Sequence, residues 1–223
     1  MRTTDRRCLR TRQALRDALA DEIHAVGDLS KITVTGVTQR ADVTRRTFYS
    51  HYRDIPALVC AVEDETVADL IPLVRAISNV TLPQLEQAIQ AFNPCPGATE
   101  VLAYVRQNGA LLSALLGEGG DPAFVEKLKH MVREVVEERA HEGFSPLMEM
   151  GFDYYLTYAI SAEVGVMVRW LTTGMAESDD IMARIMTALM FVRPGDLYGR
   201  PIEFDIPALS NCIGEKGKEL IHG

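Results

Sequence analysis

The sequence predicts an all-α protein, on three observations. Leu, Ala, Val and Met are plentiful, while aromatic residues make up only 7% of the 223-residue chain, a mixture that favours helix over sheet. Apolar residues recur at steps of three and four along most segments, and no stretch shows the strict alternation of a half-buried strand. Gly and Pro clusters cut the chain into helix-length pieces, and no internal repeat is present.

Each element follows from its local signals. Leu15, Leu19, Ile23 and Val26 line one face of a helix over residues 11–26, and Gly27 with Asp28 stops it where a left-handed C-cap is expected. Thr33 caps a short second helix that runs through Val37 and Arg40 to Ala41, and Asp42 makes the turn. Thr44 caps a third helix over residues 45–52. Asp54 caps a fourth, with Pro56 tolerated in its first turn; it continues through Leu58, Val62 and Val67 to about Leu70, and Pro72 bends or ends it. Further helices are expected over residues 82–92, 99–116, 122–140, 147–173 and 179–192, with breaks at 93–97 and 117–121 and a turn at 173–175. In the 122–140 helix, Phe124, Val125, Leu128, Met131, Val132 and Val135 fall on one side. Residues 194–223 are richer in Gly and Pro and show no period.

Composition narrows the function classes. With 47% hydrophobic and 24% charged residues, the chain resembles an ordinary soluble protein. It has no charge-free apolar run long enough to span a membrane, and its basic N-terminus lacks the apolar centre of a secretory signal. Cys8, Cys60, Cys95 and Cys212 are scattered, which suits reduced thiols in the cytoplasm better than disulfides or zinc. The net charge is −8, but it is unevenly spread. Residues 1–55 hold eleven basic and seven acidic groups, a net of +4, leaving twelve basic and twenty-four acidic groups for the rest. A basic head on an acidic body suits a DNA-binding module attached to a larger domain.

Enzyme signatures are absent. His130 and His141 flank an acidic helix with Glu134, Glu137 and Glu138, but their spacing matches no zinc motif. There is no phosphate loop and no GxSxG, and Ser113 and Ser161 have no base nearby in sequence. No catalytic residue, cofactor or metal is expected.

The specific signal is the run from Thr33 to Tyr52, TVTGVTQRADVTRRTFYSHY. Val37, Ala41, Val43, Phe48 and Tyr52 can form one apolar wedge between two short helices. Thr44, Arg45, Arg46, Thr47, Tyr49 and His51 then crowd the start and outer side of the second helix. A helix-turn-helix turns that end toward the major groove, where Arg suits guanine and hydroxyls or ring donors suit phosphate.

This run, within residues 10–60, resembles the DNA-binding domain of the TetR family of regulators, above all in its ungapped Thr-Phe-Tyr-Ser-His-Tyr core. The resemblance implies phosphate contacts from Thr33, Thr44, Tyr49 and His51 and groove contacts from Arg45, Arg46 and Thr47, with Thr35 in the same DNA-facing set. It also implies that Phe48 and Tyr52 are core. Three positions depart from the family pattern. Asp42 replaces the turn Gly, a change left-handed backbone tolerates. Arg46 stands where Gly is common, adding a candidate base contact. Ile55 stands where a Lys usually anchors the fourth helix to phosphate.

The body carries a looser resemblance. Residues 108–117 and 121–124, with Tyr158, Gly165, Arg169, Trp170 and Gly174, resemble the C-terminal type found in TetR-family regulators of dihydroxyacetone kinase operons. The resemblance implies a three-helix DNA-binding domain over residues 1–55, an effector-binding and dimerisation domain over 56–193, and a tail of unassigned role over 194–223. It implies a homodimer on a palindromic double-stranded operator, with the last two helices at the dimer interface. Control would come from a small-molecule effector, giving a repressor, or from a protein partner, giving a DNA-binding co-activator. Tyr104, Tyr155, Tyr158, Met167 and Trp170 are candidate effector contacts, although side chains of this kind at helical spacing equally suit a core.

Overall fold

In a computed structural model of the chain, which describes residues 3–140 and 146–190, the described residues form ten α-helices and no strand. The helices are α1 Thr3–Val26, α2 Val34–Arg40, α3 Arg45–His51, α4 Ile55–Ser78, α5 Leu82–Gln90, α6 Ala98–Gln107, α7 Gly109–Leu116, α8 Pro122–Ala140, α9 Pro146–Thr172 and α10 Asp179–Leu189. The fold is all-α, as expected. His141, Cys212, the end of the expected last helix and the tail 194–223 lie outside the described residues.

The N-terminal helices begin and end where their side chains dictate. Thr33 accepts a hydrogen bond from the Gly36 amide, Thr44 from the Thr47 amide and Asp54 from the Ala57 amide, each satisfying a donor that has no partner inside the first turn. Asp42 adopts φ +50° and Gly27 φ +72°, the left-handed geometry that their turns require. α1 begins at Thr3, well before the apolar face starts, because Arg6 to Arg10 are exposed and give no apolar period to read.

Two expectations about helix ends are corrected. α4 does not stop near Leu70 but continues through Pro72 to Ser78. Leu70 is buried, and Ile71, Leu73 and Val74 pack on the core, so burial outweighs the hydrogen bond that proline removes. The segment 99–116 is two helices, not one. Asn108, at φ −100° and ψ 16°, closes α6 and opens α7. Its amide donates to the Tyr104 carbonyl at 2.9 Å, and its Oδ1 accepts from Arg16 of α1 at 2.8 Å, so the side chain competes with the helical ladder.

One apolar cluster runs from the N-terminal helices through the body. Leu15, Leu19 and Ile23 of α1, Val37 of α2 and Phe48 of α3 join Leu58 and Val62 of α4, Leu115 of α7, Phe124 of α8 and Trp170 of α9. α1 packs on α2 and on α7, α4 on α8, and α6 on α10. A smaller cluster, Leu156, Ile160 and Val164, seals α9 against α8.

Because this core is continuous, Leu19→Ala, at a fully buried position, is expected to cost about 2–5 kcal/mol. Chemical denaturation should show one transition, with far-UV circular dichroism and the fluorescence of Trp170, the chain's single tryptophan, moving together. Separate midpoints for the two signals would show that the N-terminal helices unfold alone.

Candidate nucleic-acid interface

α3 is held at three points, which leaves one side free. Phe48 is fully buried and Tyr52 nearly so, and the two rings lie 6.0 Å apart. The Thr44 and Thr47 hydroxyls sit 2.9 Å apart at the N-terminus. Arg45 donates to Thr35 of α2, which fixes the guanidinium beside the turn. With the wedge inward, Thr44, Arg45, Arg46 and Tyr49 are exposed, and Thr47 and His51 are partly so.

Arg46 has no side-chain partner among the described residues. Tyr49 is 57% exposed, held only edge-on against Phe48 at 5.6 Å. An aromatic ring packed by its edge keeps its hydroxyl at the surface with little rotamer freedom to lose. Thr33 is exposed at the head of α2 and Thr35 is partly buried. The structure therefore gathers all eight expected residues onto α3 and the start of α2.

Part of this surface was not read from the sequence. Cys8 Sγ lies 3.9 Å from His51 Nδ1, so the start of α1 stands beside the end of α3. Arg6, Arg7 and Arg10 are exposed on those first turns. Their positive charge was visible in the sequence, but their helical phase was not. Ile55, where a basic anchor was missed, is a buried residue of the core; a lysine ammonium there would lose its hydration.

Charge pairs tie this surface to the rest. Arg12 of α1 pairs with Glu65 of α4, and the Tyr52 hydroxyl and Glu65 together push its pKa up. Arg16 lies 3.8 Å from the same Glu65. Arg40 of α2 pairs with Glu22 of α1.

Comparison with known proteins bears on this architecture. Residues 93–191 match the family model TetR_C_8, a transcriptional regulator C-terminal region. The uncharacterized HTH-type transcriptional regulator YxbF of Bacillus subtilis (strain 168) is 24% identical over 180 residues, 81% of this chain and 44% of that protein. Residues 93–191, a little under half of the chain, thus resemble the C-terminal region of TetR-family transcriptional regulators. The chain spans less than half the length of that curated relative. A TetR transcriptional regulator from Streptococcus agalactiae 2603V shares the fold, with a TM-score of 0.54 and 23% identity over 83% of this chain and 96% of that one.

In the body the five candidate effector contacts divide. Tyr104, Met167 and Trp170 belong to the main core or pack on it. The Tyr104 hydroxyl donates to Asp69 at 3.1 Å, and Trp170 is buried with the Arg106 guanidinium 5.0 Å from its ring centre. Arg106 also bonds Asp179 and the Met175 carbonyl, clamping the turn from α9 to α10. Tyr155 and Tyr158 are 55% and 74% exposed on α9. His130 and Glu134 form an exposed pair at 3.2 Å.

Glu163, midway along α9, was not singled out by sequence. Burial pushes its carboxyl up to about 7. The folded chain therefore holds a proton that the unfolded chain releases near 4.5, so stability falls as pH rises from about 4.5 to 7 and stays reduced above. Glu163→Gln should raise the melting temperature at alkaline pH and change it little at acid pH. Allowing for the group's partial exposure, the gain is on the order of 1–3 kcal/mol. Equal shifts at both ends of the pH range would disprove this assignment.

Proposed function

We propose that this chain binds a palindromic DNA operator as a homodimer through α3, and that an effector taken up by the body releases it, so that it acts as a repressor. The observation that carries the reading is the surface of α3. A capped helix N-terminus presents Arg45, Arg46, Thr47 and Tyr49 outward while Phe48 and Tyr52 anchor it from behind. Arg46 and Arg45 read base edges, and Thr33, Thr35, Thr44, Tyr49 and His51 hold phosphates. The exposed arginines at the start of α1 add further phosphate contacts. The operator implies work in the cytoplasm; no described helix is long and apolar enough to cross a membrane.

The second subunit is supported by an apolar stripe. Ile181, Ile185 and Leu189 of α10 recur every fourth residue and are 50%, 39% and 46% exposed, opposite the buried Met182, Ala183 and Thr187 that face α6. On α9, Tyr154 and Tyr158 are exposed, and nothing lies within 4 Å of a Cβ added at Gly165. Two such faces pack as an isologous four-helix contact, which sets the two α3 helices about 34–36 Å apart, one turn of DNA.

Mobility shifts on the duplex upstream of the chain's own gene test both parts. Arg46→Ala should weaken binding by about 1–3 kcal/mol and relax preference at one base position, whereas Tyr49→Phe should weaken binding to all sequences alike. Ile185→Asp should yield a folded monomer by sedimentation, with operator affinity lost. Unchanged affinity in both α3 variants would refute the DNA surface, and a dimeric Ile185→Asp would refute the interface.

A further inference from the structure

A cleft of about 500 Å³ lies between the turn after α1, the first turns of α4 and the loop joining α7 to α8. Its size is that of a small-molecule site, and none of the five residues discussed for the body lines it. The Leu29 amide donates to the Gly119 carbonyl at 2.8 Å, which draws the two outer walls together. Gly119 has φ +81°, and a Cβ there would stand 2.1 Å from the Gly27 carbonyl oxygen. Any side chain at this position would force the walls apart.

The cleft has two chemical faces. Ile32, Ile55 and Val59 make an apolar floor, and Glu63 and Asp121 make an acidic edge. Glu63 is 7% exposed; its side chain meets the Asp121 carboxylate, and its buried Oε1 receives no N–H donor. The nearest cation, Lys127, sits 2.5 Å from Asp64 but 3.5 Å from Glu63 Oε2, so its charge is largely committed elsewhere. Glu63 and Asp64 thus share one ammonium, and Asp121 adds a third carboxylate beside Glu63. Burial, and next the neighbouring Asp121, push the Glu63 carboxyl up, as expected where negative charge is under-compensated. A buried acceptor left unpaired is destabilising unless something fills it.

We propose that this cleft binds a small organic cation, an ammonium or guanidinium group on a compact apolar body, whose N–H groups are received by Glu63 and Asp121 while the apolar part lies over Ile32, Ile55 and Val59. A hard metal ion fits less well, because the floor supplies carbon where such an ion needs about six or more oxygens. The occupant bridges the turn that leads into α2, the start of α4 and the body, and so biases the angle at which α3 is presented. This second consequence rests on the DNA-binding reading above; the cation site does not.

Cys60 is exposed and lines the cleft, and Cys8 is exposed outside it. On the full-length chain, iodoacetamide alkylation of both thiols is followed by peptide mass spectrometry, with benzylamine as probe and benzyl alcohol as its neutral counterpart. Benzylamine should slow alkylation of Cys60 several-fold and saturably, leave Cys8 unaffected, and outperform benzyl alcohol. Glu63→Gln and Asp121→Asn, each checked for folding by circular dichroism, should raise the half-saturating amine concentration about tenfold or more, the loss expected for a charge-assisted contact. Equal protection by amine and alcohol, no protection, or protection unchanged in both variants would overturn the site.

Mobility shifts with saturating benzylamine then read the coupling. Operator affinity should change for the unaltered chain and not for Glu63→Gln. A protected Cys60 with unmoved affinity refutes the coupling alone. A chain that binds no duplex under any condition refutes the DNA reading, while Cys60 still reports the cleft.

Discussion

Leu15, Leu19 and Ile23 form one apolar edge of α1, and the rest of the molecule is organised around that edge. It is buried against α2 on one side and α7 on the other. Burying such a surface twice over means that the helix-turn-helix is not a bead on a string. Phe48, at the back of α3, belongs to the same cluster as Leu115 and Phe124 in the body. Close-packed interiors transmit displacement instead of absorbing it, and α3 shares this one with α7 and α8.

Polar contacts refine what the core imposes. The pairs of Arg12 and Arg16 with Glu65, and of Arg40 with Glu22, join neighbouring helices. Arg12, Arg40 and Glu65 are part-exposed while Arg16 and Glu22 are largely buried, and part-exposed pairs contribute little stability. Arg106 does more, because it stacks on buried Trp170 while bonding the turn that begins α10. That turn decides which face of α10 is buried on α6, and so which face is left to water.

Two carboxylates stand against the general trend of a satisfied interior. Glu63 and Glu163 are both held where burial disfavours their charge. Local rules are broken most often where a protein does something other than fold. Glu63 lies on α4, the helix that starts directly after α3 and packs on α8, so an uncompensated charge there sits between the body and α3.

Much of the N-terminal part was legible because its determinants are local. A hydroxyl or carboxylate three residues before a helical amide caps it wherever the chain goes, so Thr33, Thr44 and Asp54 announced their helices. Asp42 and Gly27 announced their left-handed turns for the same reason. The placement of the eight residues expected to face DNA follows from those caps and from the apolar wedge behind them. Farther along the chain, local signals lost to contacts between distant residues. Pro72 reads as a helix end, yet α4 passes through it because its flanks are buried. The residues on either side of Asn108 read as one helix, yet Arg16, ninety-two positions away, helps hold the break. Glu63 reads as one more acidic residue on an amphipathic helix. That it is buried beside Asp121, with its nearest ammonium drawn toward Asp64, was decided only when α4, α8 and the loop between α7 and α8 came together, since burial and charge compensation belong to neighbours in space and not to neighbours in sequence.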